Sequence, residues 1–341
     1  MTRVTIAGLA SQLRLSKASV SYALNGQPGV SDETRRRVLE LAAELGWHAS
    51  SSARALSRSR TDAIGIVLRR DPSLLGTEPF YMNLLAGVES VLAETDKALL
   101  LRMVGTSPGL EVATYRRWSA EGRVDGVMLF DIRIDDPRPA LLESLGLTFV
   151  MHGDRAALAP GRVLYYDVEH DAELIMDSLA ALGHQQVLHV AGPLEFAHEN
   201  DRRDAIATKA QERGMVPRFV TSDYSMENGE RAVIQALGEH PETTAVITSS
   251  DLLALGAATA FKRIDREDVA LISWDDSLLC SLSARPITAL ARFPEEQGKR
   301  STRLLLDLLA DVPPFQPAAK RSELVIRATS VPPQHAPDAR R

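Results

Sequence analysis

Cysteine is nearly missing from this 341-residue chain, which carries only Cys280. A single thiol excludes an internal disulfide framework and a cysteine-ligated zinc site. No run of about 18 apolar residues occurs, so no membrane-spanning helix is expected. The N-terminal MTRVTIAGLASQL interrupts its apolar pairs with polar residues, unlike a secretory leader. A cytoplasmic protein with no membrane partner follows as the expectation. Also missing are G-x-S-x-G, the phosphate-binding G-x-x-x-x-G-K-[ST], G-x-G-x-x-G and H-E-x-x-H. No catalytic residue, metal or cofactor is therefore expected. An excess of positive charge is lacking too, since the net charge is −6.

That charge is unevenly placed. Residues 1–60 hold nine Lys/Arg against four acidic residues, a local +5, which leaves −11 for the remainder. A small basic head on an acidic body suits a protein whose head alone touches phosphates. Ile6, Leu9, Ala10 and Leu13 have helical spacing, with Thr5 as N-cap. A turn at Arg14-Leu15-Ser16 leads to a second helix from Lys17 to about Asn25, broken by Gly26 and Pro28-Gly29. Ser31 caps a third helix, with Asp32 and Glu33 in its first turn and Val38, Leu41, Ala42 and Leu45 as its stripe. Three short helices with a tight first turn form a helix-turn-helix pattern.

The second helix, within RLSKASVSYALNG, is too short to stand alone. Val20, Ala23 and Leu24 must hold it to its neighbours, turning Lys17, Ala18, Ser21 and Tyr22 outward. A cation, a methyl, a hydroxyl and a phenol suit base edges and phosphates. Residues 47–61 lose any apolar period and read as a serine- and arginine-rich linker, with a possible half-helix around Leu56. From Asp62 onward, eight apolar runs alternate with amphipathic helices: 63–68, 98–104, 126–130, 148–151, 163–166, 187–192, 245–248 and 270–274. This rhythm predicts an α/β fold with parallel sheets covered on both faces, divided into two lobes of four to six strands. The final VPPQHAPDARR reads as a disordered tail. Asp131, Asp135 and Asp136 suit a solvated loop better than a metal site, and His184 and His189 read as structural.

The motifs VTI-x-x-x-A, S-x-x-S-V-S-x-A-L-N, V-S-x-x-T-R-x-R-V and A-x-E-L-G-W resemble the head of the lac repressor/Gal repressor family of bacterial transcription regulators. Similar stretches continue to about residue 331, including PFYMNLLAGVE, VDGVMLF, LGHQQVLHVAGP, SSDLLALGA and ISWDDS. The resemblance implies a head over 1–49, a hinge helix or linker over 50–61, and a two-lobed effector domain over 62–331. That domain would be similar to periplasmic sugar-binding proteins. It places the N-lobe at about 62–158 plus 292–318, the C-lobe at about 162–290 plus 322–331, and a tail at 332–341. It also implies crossovers near 155–165, 288–293 and 318–325.

By the same resemblance, Lys17, Ala18 and Tyr22 would read bases. Thr5, Ser16, Ser19, Ser21, Asn25, Ser31 and Thr34 would contact phosphates, and Leu56 would wedge into the minor groove. Phe80, Tyr81, Asp154, Arg202, Tyr224, Ser250 and Asp275 would bind an effector. Two departures stand out: Tyr22 where the family usually has Arg, and Arg14 where it usually has Gly. The implied protein is a homodimer, most simply a repressor, on a palindromic double-stranded operator, answering to a sugar. A C-terminal leucine heptad is lacking, so a tetramer is not expected. A solute-binding protein and a sugar-metabolising enzyme are the rival readings. The basic head opposes the first, and the missing nucleophile or phosphate loop opposes the second.

Overall fold

The computed structural model describes residues 4–47, 60–70, 76, 78–105, 107–153, 161–314 and 319–334. The expected hinge segment with Leu56, as well as Asp154 and the tail from 335, lie outside the described residues. Two units divide the chain, Met1–Thr61 and Asp62–Arg341.

Hydroxyl side chains start the three described helices of the first unit. Helix α1 (Ile6–Leu13) begins where Thr5 Oγ1 accepts the Gly8 N–H at 3.2 Å. Helix α2 (Lys17–Leu24) begins on Ser16, whose Oγ accepts from Ser19 N–H at 3.0 Å, and α3 (Asp32–Glu44) on Ser31, which accepts from Thr34 N–H at 3.2 Å. Each cap satisfies an otherwise orphaned donor. Leu9, Ala10, Val20, Ala23, Val38 and Ala42 interlock as the shared core, with Trp47 and Leu45 packed at its edge. At eight residues, α2 stands on this packing and not on its own propensity.

In the second unit, strands β1 (Ala63–Leu68), β2 (Ala98–Met103), β3 (Gly126–Leu129), β4 (Thr148–His152) and β5 (Val163–Leu164) form a parallel sheet ordered β2-β1-β3-β4-β5. Strands β6 (Gln186–Ala191), β7 (Val216–Thr221), β8 (Ala245–Thr248), β9 (Ala270–Ser273), β10 (Thr288–Ala291) and β11 (Glu323–Val325) form the second, ordered β11-β10-β9-β8-β6-β7. Among the described strands, β11 alone runs antiparallel to its neighbour. Each sheet carries an apolar core on either face, as continuous apolar strands require. The helices are α4 (Pro79–Glu94), α5 (Pro108–Ala120), α6 (Arg138–Ser144), α7 (Val168–Ala181), α8 (Ala197–Glu212), α9 (Met226–Glu239), α10 (Asp251–Arg263), α11 (Leu278–Leu282) and α12 (Pro294–Ala310).

The sequence pattern missed β7, β10 and β11, and with them α6, α11 and α12. Strand β7 lies at a sheet edge, where Pro217 and Arg218 break the apolar run. Strands β10 and β11 are short, and α12 buries one narrow stripe among charged residues. The second lobe does not begin at residue 162: Val163 and Leu164 pair with Met151 and His152 in the first sheet. The chain therefore crosses between lobes after β5, again at Arg292-Phe293, and finally between α12 and β11.

Helix α12 returns to the first lobe and lies hard against α4. A Cβ on Gly87 would fall 1.9 Å from the Glu295 carbonyl oxygen, and one on Gly298 would fall 2.1 Å from that of Leu84. Only glycine permits this backbone approach. Gly87→Ala should lower the unfolding free energy by about 3 kcal/mol, the upper end for overpacking, because rigid backbone cannot give way. Urea unfolding followed by circular dichroism measures it.

Candidate nucleic-acid interface and ligand cleft

On α2, Lys17, Ala18 and Tyr22 share an exposed face, with Ser21 half-buried beside them. Their i, i+4 spacing follows from Val20 and Ala23 turning inward. Ser16, Ser31 and Thr5 are engaged as caps, and the Ser16–Ser19 and Ser31–Thr34 hydroxyl pairs lie 2.9 Å apart. Asn25 Nδ2 donates back to the Ser21 carbonyl at 3.0 Å. These side chains therefore shape the helix ends around the exposed face. Arg14 closes α1 in the left-handed region, with φ 55°. Arg14→Gly should raise the head's stability by about 1 kcal/mol, the strain a Cβ pays there, read as a higher urea midpoint.

The cleft lies between the lobes of the second unit, at the C-terminal strand ends, where a doubly wound sheet leaves its crevice. From the first lobe, Arg70 follows β1. Its Nε donates to Asp131 Oδ2 at 3.0 Å, its Nη1 to Glu78 Oε1 at 2.9 Å, and its Nη2 to the Tyr81 hydroxyl at 3.3 Å. Tyr81 donates in turn to Asp131 Oδ1 at 2.5 Å. Burial works against ionisation of Asp131, but the Arg70 charge and hydrogen bonds hold its carboxyl down at about 2. Burial wins at Glu78, which is pushed up to about 7 despite Arg70. The Arg70 guanidinium lies 4.7 Å from the Tyr81 ring centroid and 5.3 Å from that of Tyr224 on the other lobe.

From the second lobe, Glu199 is fully buried at the start of α8. It accepts from the Gly192 N–H at 2.7 Å, the Ser249 hydroxyl at 2.6 Å, the Tyr224 hydroxyl at 2.7 Å and Arg202 Nη1 at 3.1 Å. Burial opposes its charge, yet the His198 hydrogen bond and the Arg202 charge keep it well below the ordinary carboxylate range. Arg202 also donates to the Ser249 carbonyl at 3.0 Å, which fixes its guanidinium 5.2 Å from the Trp274 ring. Tyr224 needs Gly192, since a Cβ there would meet the phenol ring at 2.2 Å. At the second crossover, Arg292 Nη1 donates to Asp275 Oδ1 at 2.8 Å, with Phe80 and Tyr166 rings 5.3 and 5.4 Å away.

Further contacts outside the cleft join the two lobes. Arg69 pairs with Glu195, the Ala197 N–H donates to the Ile132 carbonyl at 2.7 Å, and Arg133 bridges Phe196 as an isolated antiparallel pair.

Residues 5–50 match the family model for bacterial regulatory proteins of the lacI family, and 176–330 match that for a periplasmic binding protein-like domain. The transcriptional regulator AglR of Rhizobium meliloti is 31% identical over 352 residues, covering 98% of this chain and 96% of its own. The chain belongs to the lacI family of bacterial regulatory proteins. It is a DNA-binding transcription regulator. A solved complex of the transcriptional regulator CelR with cellobiose is 26% identical, with a TM-score of 0.72, and covers 96% of this chain and 100% of that one. The lac repressor dimer bound to operator and an anti-inducer shares the fold, with a TM-score of 0.84 at 23% identity, over 97% of this chain and 100% of that one.

Of the effector residues inferred from the sequence, Phe80, Tyr81, Arg202, Tyr224, Ser250 and Asp275 all line the cleft. Ser250 also caps α10, its Oγ accepting from Leu253 N–H at 3.3 Å. Sequence reasoning missed Arg70, Glu78, Phe130, Asp131, His152, Tyr166, His198, Asp251 and Arg292. Asp131 and Asp136 are not in a solvated loop. Asp131 is clamped by Arg70, and Asp136 is buried against Arg138, with Nη2 to Oδ2 at 2.6 Å. The usable signal was position: Arg70, Asp131 and Arg292 all stand one or two residues past a strand end. Among the described residues no cluster of metal-ligating side chains is present, and no helix is long and apolar enough to cross a membrane. His184 bonds Thr244 Oγ1 at 2.9 Å and the Val331 carbonyl at 2.8 Å, while His189 is buried against Ser249.

Asp251 lines the cleft and is buried, accepting the Leu252 N–H at 2.8 Å. Burial pushes its carboxyl up to about 6, with Ser277 opposing and the Asp275 charge adding. A folded-state value above the unfolded one means the native state binds the extra proton, so this carboxylate costs stability above about pH 6. Asp251→Asn should gain up to about 3 kcal/mol over the wild type at pH 8, and the gain should fade as pH drops to about 4. Urea titrations at a series of pH values measure it.

Proposed function

We propose that the chain is a cytoplasmic, homodimeric repressor whose operator affinity is set by a neutral sugar held in the cleft, and that it catalyses no reaction. One observation carries the ligand class. Each arginine in the cleft is already matched by protein carboxylates: Arg70 by Asp131 and Glu78, Arg202 by Glu199, Arg292 by Asp275. A ligand therefore need bring no charge. What it meets is a set of fixed polar groups between aromatic rings of Phe80, Phe130, Tyr166 and Tyr224. Fixed donors and acceptors with apolar walls suit hydroxyls and the flat faces of a pyranose. The cellobiose bound to CelR supports this class.

On the head, Lys17, Ala18 and Tyr22 are assigned to base edges, and Thr5, Ser16, Ser19, Ser21, Asn25, Ser31 and Thr34 to the phosphates beside them. Leu56 is assigned as the minor-groove wedge on sequence grounds. Tyr22 has no guanidinium fork, so a bidentate guanine contact is not made there. A ligand touching both lobes favours one setting of them, and the shift in operator affinity equals the reciprocal shift in ligand affinity.

The test is calorimetric titration with neutral mono- and disaccharides, cellobiose included, alongside operator anisotropy with and without the sugar. Arg202→Ala and Asp275→Asn should each weaken sugar binding at least tenfold, about 1.4 kcal/mol or more for a lost buried polar partner. They should keep operator affinity and remove its response to sugar. Wild-type sugar affinity in both variants overturns the cleft assignment. Operator affinity should also fall with salt, log K against log salt losing about 0.9 per phosphate contacted; a flat response refutes the role given to the basic head.

A further inference from the structure

The crossovers between the lobes enclose a second cavity of about 190 Å³, separate from the cleft but sharing Tyr166 and Arg292 with it as a common wall. All three crossovers contribute: Tyr165 to Asp167 from the first, Arg292 and Phe293 from the second, and Ala319 to Ser322 from the third. Helices α7 and α12 supply the rest.

The lining is cationic, and its charges are unevenly spent. Arg292 is committed to Asp275 at 2.8 Å and Asp171 at 3.6 Å. Arg321 leans on Asp167 at 3.4 Å, and Glu296 is held by Lys299 at 2.8 Å. Two cations are left over. Arg300 and Lys320 form no ion pair among the described residues. Arg300 Nε is buried with no hydrogen-bond acceptor, and its burial is offset by no acidic neighbour. Lys320 Nζ instead rests 3.4 Å from the centroid of the Phe293 ring. A planar five-donor fork and a mobile point charge, both without anions, are the pair of groups that grips a tetrahedral dianion. The backbone adds a mark of its own. Phe293, on the second crossover, is held in the left-handed region at φ 53°, a strained state that a bulky residue keeps only where its surroundings enforce it.

We propose that this cavity is an anion site for a phosphoryl group, separate from the sugar cleft, with Arg300 and Lys320 as its principal ligands. An anion there ties α12 to the third crossover, and so braces the segments about which the lobes move. Because Arg292 and Tyr166 face both cavities, occupancy of the crossover site alters the sugar affinity of the cleft, and sugar alters anion affinity by the same factor. Free phosphate and a small phosphate monoester share this chemistry.

The experiment is calorimetry on the full-length chain at fixed ionic strength, titrating inorganic phosphate and glycerol 3-phosphate separately. Wild type should bind at one site outside the head, with tighter binding of the ester marking a phosphorylated metabolite and equal binding marking the free anion. Arg300→Gln and the surface variant Lys320→Gln should each weaken binding about tenfold. Arg202→Ala should leave it unchanged, which separates this site from the sugar cleft. Absence of phosphate binding in the wild type, wild-type affinity in Lys320→Gln, or loss in Arg202→Ala overturns the proposal. If Arg300→Gln unfolds, Lys320→Gln and Arg202→Ala still decide it.

Discussion

Arg292 is the point on which the effector unit turns. It stands where the chain passes for the second time between lobes, and its guanidinium answers two carboxylates of the second lobe, Asp275 and Asp171. It lies close to an aromatic ring of the first lobe, Phe80, and to one on the first crossover, Tyr166. Burial alone raises the Asp171 carboxyl above its ordinary range even with Arg292 beside it. Without the arginine, the buried Asp171 and the half-buried Asp275 would lose the cation they share. A buried ion pair adds little net stability, but removing one partner costs several kcal/mol because the other charge remains. The second crossover is thus fastened to the second lobe by an interaction whose loss would be felt in the cleft, in the crossovers and in the packing of α7 together.

The same logic is repeated on each side of the cleft. Arg70 and Glu199 are each met by three or more polar partners, some near in the chain and some, such as Asp131 and Ser249, from distant strands. Networks in which most polar groups find partners are rigid, which fixes the donors and acceptors around the cleft. His152 belongs to the same scheme. Burial drives its pKa down to about 3, so it is neutral and ties β4 to α12 through Ser301 and Gln297.

The parts legible in the sequence were those with a local signature. The three head helices carry hydroxyl caps and apolar stripes within a few residues, and eight strands announced themselves as continuous apolar runs. Strand β7 was hidden because an edge strand need not be apolar on both faces, and α12 because its buried stripe is narrow between acidic and basic residues. Val163 and Leu164 were assigned to the wrong lobe because two residues contain no information about which sheet they join. In the cleft, Arg202 and Asp275 were found by resemblance, whereas Arg70, Glu78 and Arg292 were not. Their significance arises from partners brought in across the fold, and no spacing along the chain encodes that meeting.

The contacts that join the lobes outside the cleft have a consequence of their own. Arg69 with Glu195, and the backbone bridge from Ile132 and Arg133 to Phe196 and Ala197, join the two lobes without lining the cleft. Any parting of the lobes on this side must break these contacts, so they weight the lobes toward the setting seen here whatever the cleft holds. A substitution at one of these contacts can therefore shift the balance between lobe settings without touching any group that lines the cleft.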